Sequence, residues 1–183
     1  MNWMKKVAVA LVCLLPLGLQ AAKVDTLQVK SPSMNKSIEV VVVSPDMAAT
    51  EACPVIYLLH GYGGNARTWV GIKPDLPKIA DEKGIFFVCP DGKNTWYWDS
   101  PLNADVRYET FISDELVKYV DSHYKTVADR KGRAITGLSM GGHGAMWNGL
   151  RHSDVFSAAG STSGGVDIRP FPKNWEMSVQ IGE

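Results

Sequence analysis

The sequence predicts an α/β fold, a mainly parallel sheet held between layers of helix. Three observations predict it. Short apolar runs that read as buried strands alternate with longer stretches of helical periodicity. Two of those runs pass straight into glycine-rich turns, His60-Gly61-Tyr62-Gly63-Gly64 and Gly137-Leu138-Ser139-Met140-Gly141-Gly142. Two further strand-like segments open the region with no helix between them, which suits an antiparallel edge.

The elements follow in order. Residues 26–30 alternate apolar and polar side chains, and residues 38–43 form a β-branched run, so both read as opening strands. Val55-Ile56-Tyr57-Leu58-Leu59 is a buried strand, residues 73–83 a helix, and Ile85-Phe86-Phe87-Val88-Cys89 the next strand. Residues 109–124 read as a helix with Phe111, Ile112, Leu116, Tyr119, Val120 and His123 on one face. A strand over 133–138, a helix over 142–151 and a strand over 156–161 complete the pattern. About six strands are expected, with no internal repeat and no low-complexity linker.

The stretch from Gly137 to Gly142 has the form of a nucleophile elbow. A serine on a tight strand-to-helix turn has its hydroxyl pushed out toward substrate, and small neighbours let the turn close. Gly137 and Gly141 supply that room. The turn also puts Ser139 beside a helix N-terminus, where the Met140 N–H can meet a developing oxyanion. The bare five-residue pattern is common by chance; Gly142 and the strand-turn-helix context make it specific.

The glycine-rich loop after the strand at 55–59 can bring a second backbone N–H to the same oxyanion. Tyr62 N–H is the candidate donor, with Gly63 N–H as the alternative. Read alone, such a segment is just a turn; its order relative to the elbow gives it meaning.

A serine nucleophile needs a base, and in this architecture an acid and then a histidine follow the serine. The residues after Ser139 hold only His143 and His152 as imidazoles. His143, four residues on, points along its helix and reads as a supporting or surface residue. His152 falls near a helix C-terminus, where it meets the last carbonyls. His60 precedes the serine and is expected to hold its loop in shape, and His123 reads as structural.

Composition bounds the rest. With 183 residues, 45% hydrophobic, the chain can form one domain with a real core. A formal net charge of zero gives no nucleic-acid signature. Lys5-Lys6, the apolar residues 7–19 and Gln20-Ala21-Ala22 match a secretory signal peptide, so residues 1–21 are expected to be removed, leaving a domain over 22–183. The apolar stretch falls short of the ~20 residues that cross a bilayer, so no membrane anchor is expected. Export to a periplasm or beyond follows.

Cys53 precedes one predicted strand and Cys89 ends the next. If those strands pair side by side, the sulfurs lie roughly 16 Å apart, too far for a disulfide, and both read as buried thiols. No Cys or His spacing suggests a metal site. In the loop from Pro90 to Asp99, Trp96, Tyr97 and Trp98 leave the carboxyl end of a strand, where ligands bind on open α/β sheets. They read equally as an apolar wall for an acyl or phenolic group and as a cap on the core. Arg107 and the helix starting at Glu109 are placed on the border of the same cleft.

Taken together, residues 54–64 with Asn65 and Trp69, residues 90–97, Ala128-Asp129-Arg130 and residues 133–142 resemble the esterase D family of α/β-hydrolases. That family includes S-formylglutathione hydrolases, tributyrin-type esterases, secreted feruloyl and acetyl-xylan esterases, and mycolyltransferases. The similarity runs from about residue 26 to residue 165. It implies the α/β-hydrolase fold, Ser139 as nucleophile, the Tyr62 and Met140 N–H groups as oxyanion hole, and hydrolysis of carboxylic esters with no cofactor. Export favours esters on glycans or lipids over a cytosolic glutathione thioester. In the family an aspartate and then a histidine follow on two further strands, and this sequence stops before either. The expectation is therefore the front portion of a longer enzyme, its triad acid and base beyond residue 183 and its own turnover strongly impaired. Two other readings are a glycan- or lipid-binding module that kept the pocket, and acyl transfer with a sugar hydroxyl replacing water.

Overall fold

The computed structural model describes residues 22–170 and 173–182; the expected signal segment, residues 1–21, lies outside the described residues. β1 (Lys23–Ser31) and β2 (Lys36–Ser44) form an antiparallel hairpin in register from Lys23↔Ser44 to Ser31↔Lys36. Asn35, a residue type that tolerates left-handed backbone, sits in its turn at φ 48°. β3 (Val55–Leu59) follows, then α1 (Thr68–Ile72), α2 (Leu76–Lys83) and β4 (Phe86–Pro90). The helix expected over 73–83 is thus shorter and preceded by a separate turn of helix. Pro74 explains the break: it disfavours helical backbone at Lys73, which takes φ −130°, ψ 74°.

The helix expected over 109–124 runs as α3 (Tyr108–Thr110), a π turn (Phe111–Glu115) and α4 (Leu116–His123). Three consecutive residues, Phe111, Ile112 and Ser113, are buried at the π turn. His123, expected on the buried face, stays exposed, its ring stacked on Tyr119 and its Nδ1 2.8 Å from Tyr119 O. β5 (Arg133–Leu138), α5 (Met140–Arg151), β6 (Ala158–Thr162) and α6 (Met177–Ile181) complete the described elements.

The sheet order is β1-β2-β4-β3-β5-β6. β4, β3, β5 and β6 are mutually parallel, with Val55 opposite both Phe86 and Arg133, while the β1–β2 hairpin joins antiparallel through β2 and β4. This is the α/β-hydrolase-type sheet the sequence predicts.

Alternation along β2 builds the two halves of the core. Val40 and Val42 face a cluster that includes Phe111, Leu116 and Ala145, whereas Val41 and Val43 face Leu76 and Ala80 of α2. All four valines are fully buried, each burial stabilising by about 1.5–3 kcal/mol. The two described cysteines are buried and unbridged, as expected. The physical reason is stronger than their spacing along the strands: Cys53 belongs to the first cluster and Cys89 to the second, so the sheet stands between them.

Candidate active site

β4 lies on one side of β3 and β5 on the other, so the winding direction reverses at β3 and a crevice opens where these strands end. The loops leaving β3, β4 and β5 meet there. Ser139 is the residue between β5 and α5, exposed, with φ 54° and ψ −117°. That backbone belongs to glycine by preference and costs a serine on the order of 1–3 kcal/mol, so the surrounding packing must enforce it. The packing is visible. A methyl group on Gly137 would stand 2.3 Å from Gly141 O, and one on Gly141 would stand 2.2 Å from Leu59 O. The Ser139 N–H donates to Thr162 O at 2.9 Å, and Ser139 O accepts from the His143 N–H at 3.0 Å.

The loop after β3 lies against this turn. A Cβ on Gly61 would sit 3.5 Å from Ser139 Cβ. His60, almost wholly buried, braces the loop, as its position in the sequence suggested. Its Nδ1 is 2.7 Å from Gly61 O, and a carbonyl can only accept, so Nδ1 carries the proton. Nε2 then accepts from the Gly92 N–H at 2.9 Å, tying the β3 loop to the β4 loop. Asp91 Oδ1 is also 3.5 Å from that nitrogen, but the lone pair is already engaged, so the contact is not an ion pair. Burial disfavours the Asp91 charge, yet the carboxyl is held well below the usual carboxylate range, and the Lys93 ammonium at 2.6 Å and the Lys93 N–H at 2.9 Å are the donors that hold it there.

The same bracing separates the two candidate oxyanion donors of this loop. The Gly63 N–H donates to Asn94 Oδ1 at 2.8 Å, while the Tyr62 N–H has no acceptor among the described residues. Tyr62 and Ser139 line one cleft of about 220 Å³ with Trp96, Ser163, Gly165 and Trp175. Burial raises the Tyr62 phenol pKa, and Glu176 beside it adds to the shift. Met140, wholly buried, begins α5 and places its N–H at the elbow. Four of the cleft residues, Trp96, Ser139, Ser163 and Trp175, are non-glycine residues at positive φ, so backbone strain gathers where the loops converge.

The aromatic loop divides between its two readings. Trp96 lines the cleft; Tyr97 and Trp98 are buried in the core, with the Tyr97 hydroxyl donating to His60 O at 3.1 Å. Arg107 and Glu109 do not line the cleft. Glu109 is turned to α5 and gathers Trp147 Nε1 and Arg151 Nε, each at 2.7 Å, and His152 Nε2 at 2.9 Å. His152 therefore serves a carboxylate rather than the helix-end carbonyls. His143 is buried, which excludes the surface reading, and its Nδ1 is 2.6 Å from Gly165 O. None of the four histidines hydrogen-bonds to the Ser139 hydroxyl. Trp175, Ser163 and Asn94 were not legible as site residues, since no motif marks them and they reach the cleft only through loop geometry.

Among the described residues no cluster of His, Cys, Asp and Glu could hold a metal ion, and no helix is long and apolar enough to cross a membrane. Chemically the cleft offers an exposed serine at a strained strand-to-helix turn and an aromatic lining, with no histidine hydrogen-bonded to that serine.

The Esterase family model, described as “Putative esterase”, matches residues 31–180. Esterase Rv1288 of Mycobacterium tuberculosis is 30% identical over 149 residues, which are 78% of this chain and 32% of that protein. The chain spans less than half the length of the curated relatives it matches. A solved ferulic acid esterase, 30% identical, superposes with a TM-score of 0.73 over 89% of this chain and 67% of its own. An S-formylglutathione hydrolase from Agrobacterium tumefaciens, 23% identical, shares the fold with a TM-score of 0.75 over 88% of this chain and 65% of its own.

Proposed function

The chain belongs to the Esterase family, and from that membership we propose that it hydrolyses carboxylic esters through an acyl-enzyme on Ser139. The observation that carries the proposal is the Ser139 backbone, a glycine-like conformation enforced on a serine at the rim of an aromatic cleft. Ser139 Oγ attacks the ester carbonyl and its proton passes to a base. The Tyr62 and Met140 N–H groups hold the oxyanion, each such donor being worth roughly 10²–10³ in rate. The alcohol leaves, and water then releases the acid. An imidazole or equivalent must supply that base, and none of the four histidines here hydrogen-bonds to the Ser139 hydroxyl.

The substrate class proposed is an acyl or aromatic acyl ester, including feruloyl esters on glycans. The aromatic lining from Tyr62, Trp96 and Trp175 supports it, as does likeness to a ferulic acid esterase. Export through residues 1–21 is proposed with it, on the two lysines, apolar run and small residues of that segment.

Hydrolysis of 4-nitrophenyl acetate by the 183-residue chain, titrated with free imidazole as a surrogate base, tests the proposal. The rate in excess of a Ser139→Ala control is expected to rise with imidazole. Equal rates for parent and control at every imidazole concentration would sink the serine mechanism.

A further inference from the structure

We propose that His143 is a positioning residue for the Ser139 cleft, its imidazole clamping the Gly165 carbonyl beside the Trp96 ring, its neighbour in the cleft lining. This rests on the reading that the cleft receives the ester.

The clamp is registered to the nucleophile by helix geometry. His143 lies one turn into α5, and its backbone N–H donates to Ser139 O at 3.0 Å. Its ring packs behind the cleft lining residue Gly165, with Nδ1 donating to Gly165 O at 2.6 Å. A carbonyl accepts only, so that bond fixes the tautomer with the proton on Nδ1. The other face of the imidazole stands edge-on to Trp96 and Trp98, with ring centroids 5.3 and 5.0 Å away, and its plane is parallel to that of Trp147 at 6.2 Å. Among the described residues the buried Nε2 has no partner, so a second proton there would find no acceptor and the ring stays neutral. Burial also lowers its pKa.

The wall it holds is backbone. Residues 163–165 contribute only Ser163 and Gly165 to the cleft, and a Cβ on Gly165 would stand 3.6 Å from the Trp96 ring. The segment rests on the start of α5 so closely that a Cβ on Gly164 would come within 2.8 Å of His143 N. Ser163, at φ 52°, holds a strained conformation next to it. Removing the Nδ1 donor would leave Gly165 O unpaired beside an aromatic surface and let this wall move, while Ser139 and both oxyanion N–H groups stay in place. His143 is therefore expected to set how tightly the acyl part fits, not how fast a seated ester reacts.

Two variants of the full chain separate this from a merely structural role. His143→Asn keeps a donor near the Nδ1 position, and His143→Phe keeps a ring and loses it. In amide hydrogen exchange, His143→Phe is expected to speed exchange across residues 163–166 by at least about fivefold, the scale of one lost hydrogen bond. Strands β3 and β5 are expected to exchange as in the parent, and His143→Asn to restore the slow rate. Parent-like exchange at 163–166 in His143→Phe overturns the proposal, as does equally fast exchange in both variants or acceleration throughout the sheet. With a fluorophosphonate probe, His143→Phe is expected to raise the half-saturating concentration several-fold and to leave the maximal labelling rate within about twofold. A fall in maximal rate alone would overturn it. Labelling is carried out with free imidazole as surrogate base; if Ser139 is then not labelled in the parent, the esterase reading fails, and the exchange experiment still decides the clamp.

Discussion

The Asn94 side chain accepts the Gly63 N–H at 2.8 Å, and that bond pins the loop presenting Tyr62 to the loop that follows β4. It also engages the Gly63 N–H, whereas the Tyr62 N–H has no acceptor among the described residues. Asn94→Ala is expected to lower the rate of Ser139 phosphonylation by about tenfold through loss of donor placement. Because the residue is only half-buried and lies in a loop, the urea midpoint should move little. A labelling rate equal to the parent's would mean that the loop holds its shape without Asn94.

Gly141 approaches Leu59 and His60 more closely than any side chain allows. A Cβ there would lie 2.2 Å from Leu59 O and 2.6 Å from His60 O, both backbone atoms that cannot swing aside. Gly141→Ala is therefore expected to destabilise the chain by about 2 kcal/mol or more and to abolish labelling. An unchanged urea midpoint would show that β3 yields more readily than its packing indicates.

Ser139 carries strain that glycine would not. Ser139→Gly is expected to raise stability by about 1 kcal/mol while removing all reaction with a fluorophosphonate. Loss of stability in urea titration would contradict the assignment of strain to this position.

His143 gives a pH dependence with a definite sign. Burial lowers its pKa below the ordinary 6.5, with the Gly165 hydrogen bond opposing that shift only in part. The unfolded chain thus binds a proton that the folded chain refuses, so this contribution to stability is complete above about pH 6.5 and declines as pH falls toward the lowered value. Arg151, which lines a cavity with His143, is paired with Glu109 at 2.7 Å. Urea midpoints should fall more steeply below about pH 6.5 in the parent than in His143→Asn. Identical slopes would remove His143 as the source.

Much of this was legible in the residues. The strands at β3 and β5 were placed to the residue because each is a short apolar run closed by glycine, and the hairpin edge followed from alternation without a helix. Ser139 and the loop bearing Tyr62 announce themselves because turn geometry demands small residues at fixed offsets. What the residues hide is whatever depends on loops packing against each other. Nothing in the segment around Trp175 shows that its backbone carbonyl accepts from Trp96 Nε1 at 3.1 Å and so reaches the cleft. The π turn escaped notice because its buried residues fit an ordinary helical face as well. Glu109 was misplaced for a similar reason: the carboxylate turns to Trp147 and Arg151, which lie far off in sequence and adjacent in space.

The bond from the Ser139 N–H to Thr162 O has a consequence for biosynthesis. The turn at Ser139 is closed on one side by β3 and on the other by the end of β6, about a hundred residues further along the chain, so it belongs to the slow, long-range part of folding. A nascent polypeptide emerging from the ribosome cannot close this turn around Ser139 until Thr162 has cleared the exit tunnel and docked, so the strained backbone there is acquired only after β6 has been made.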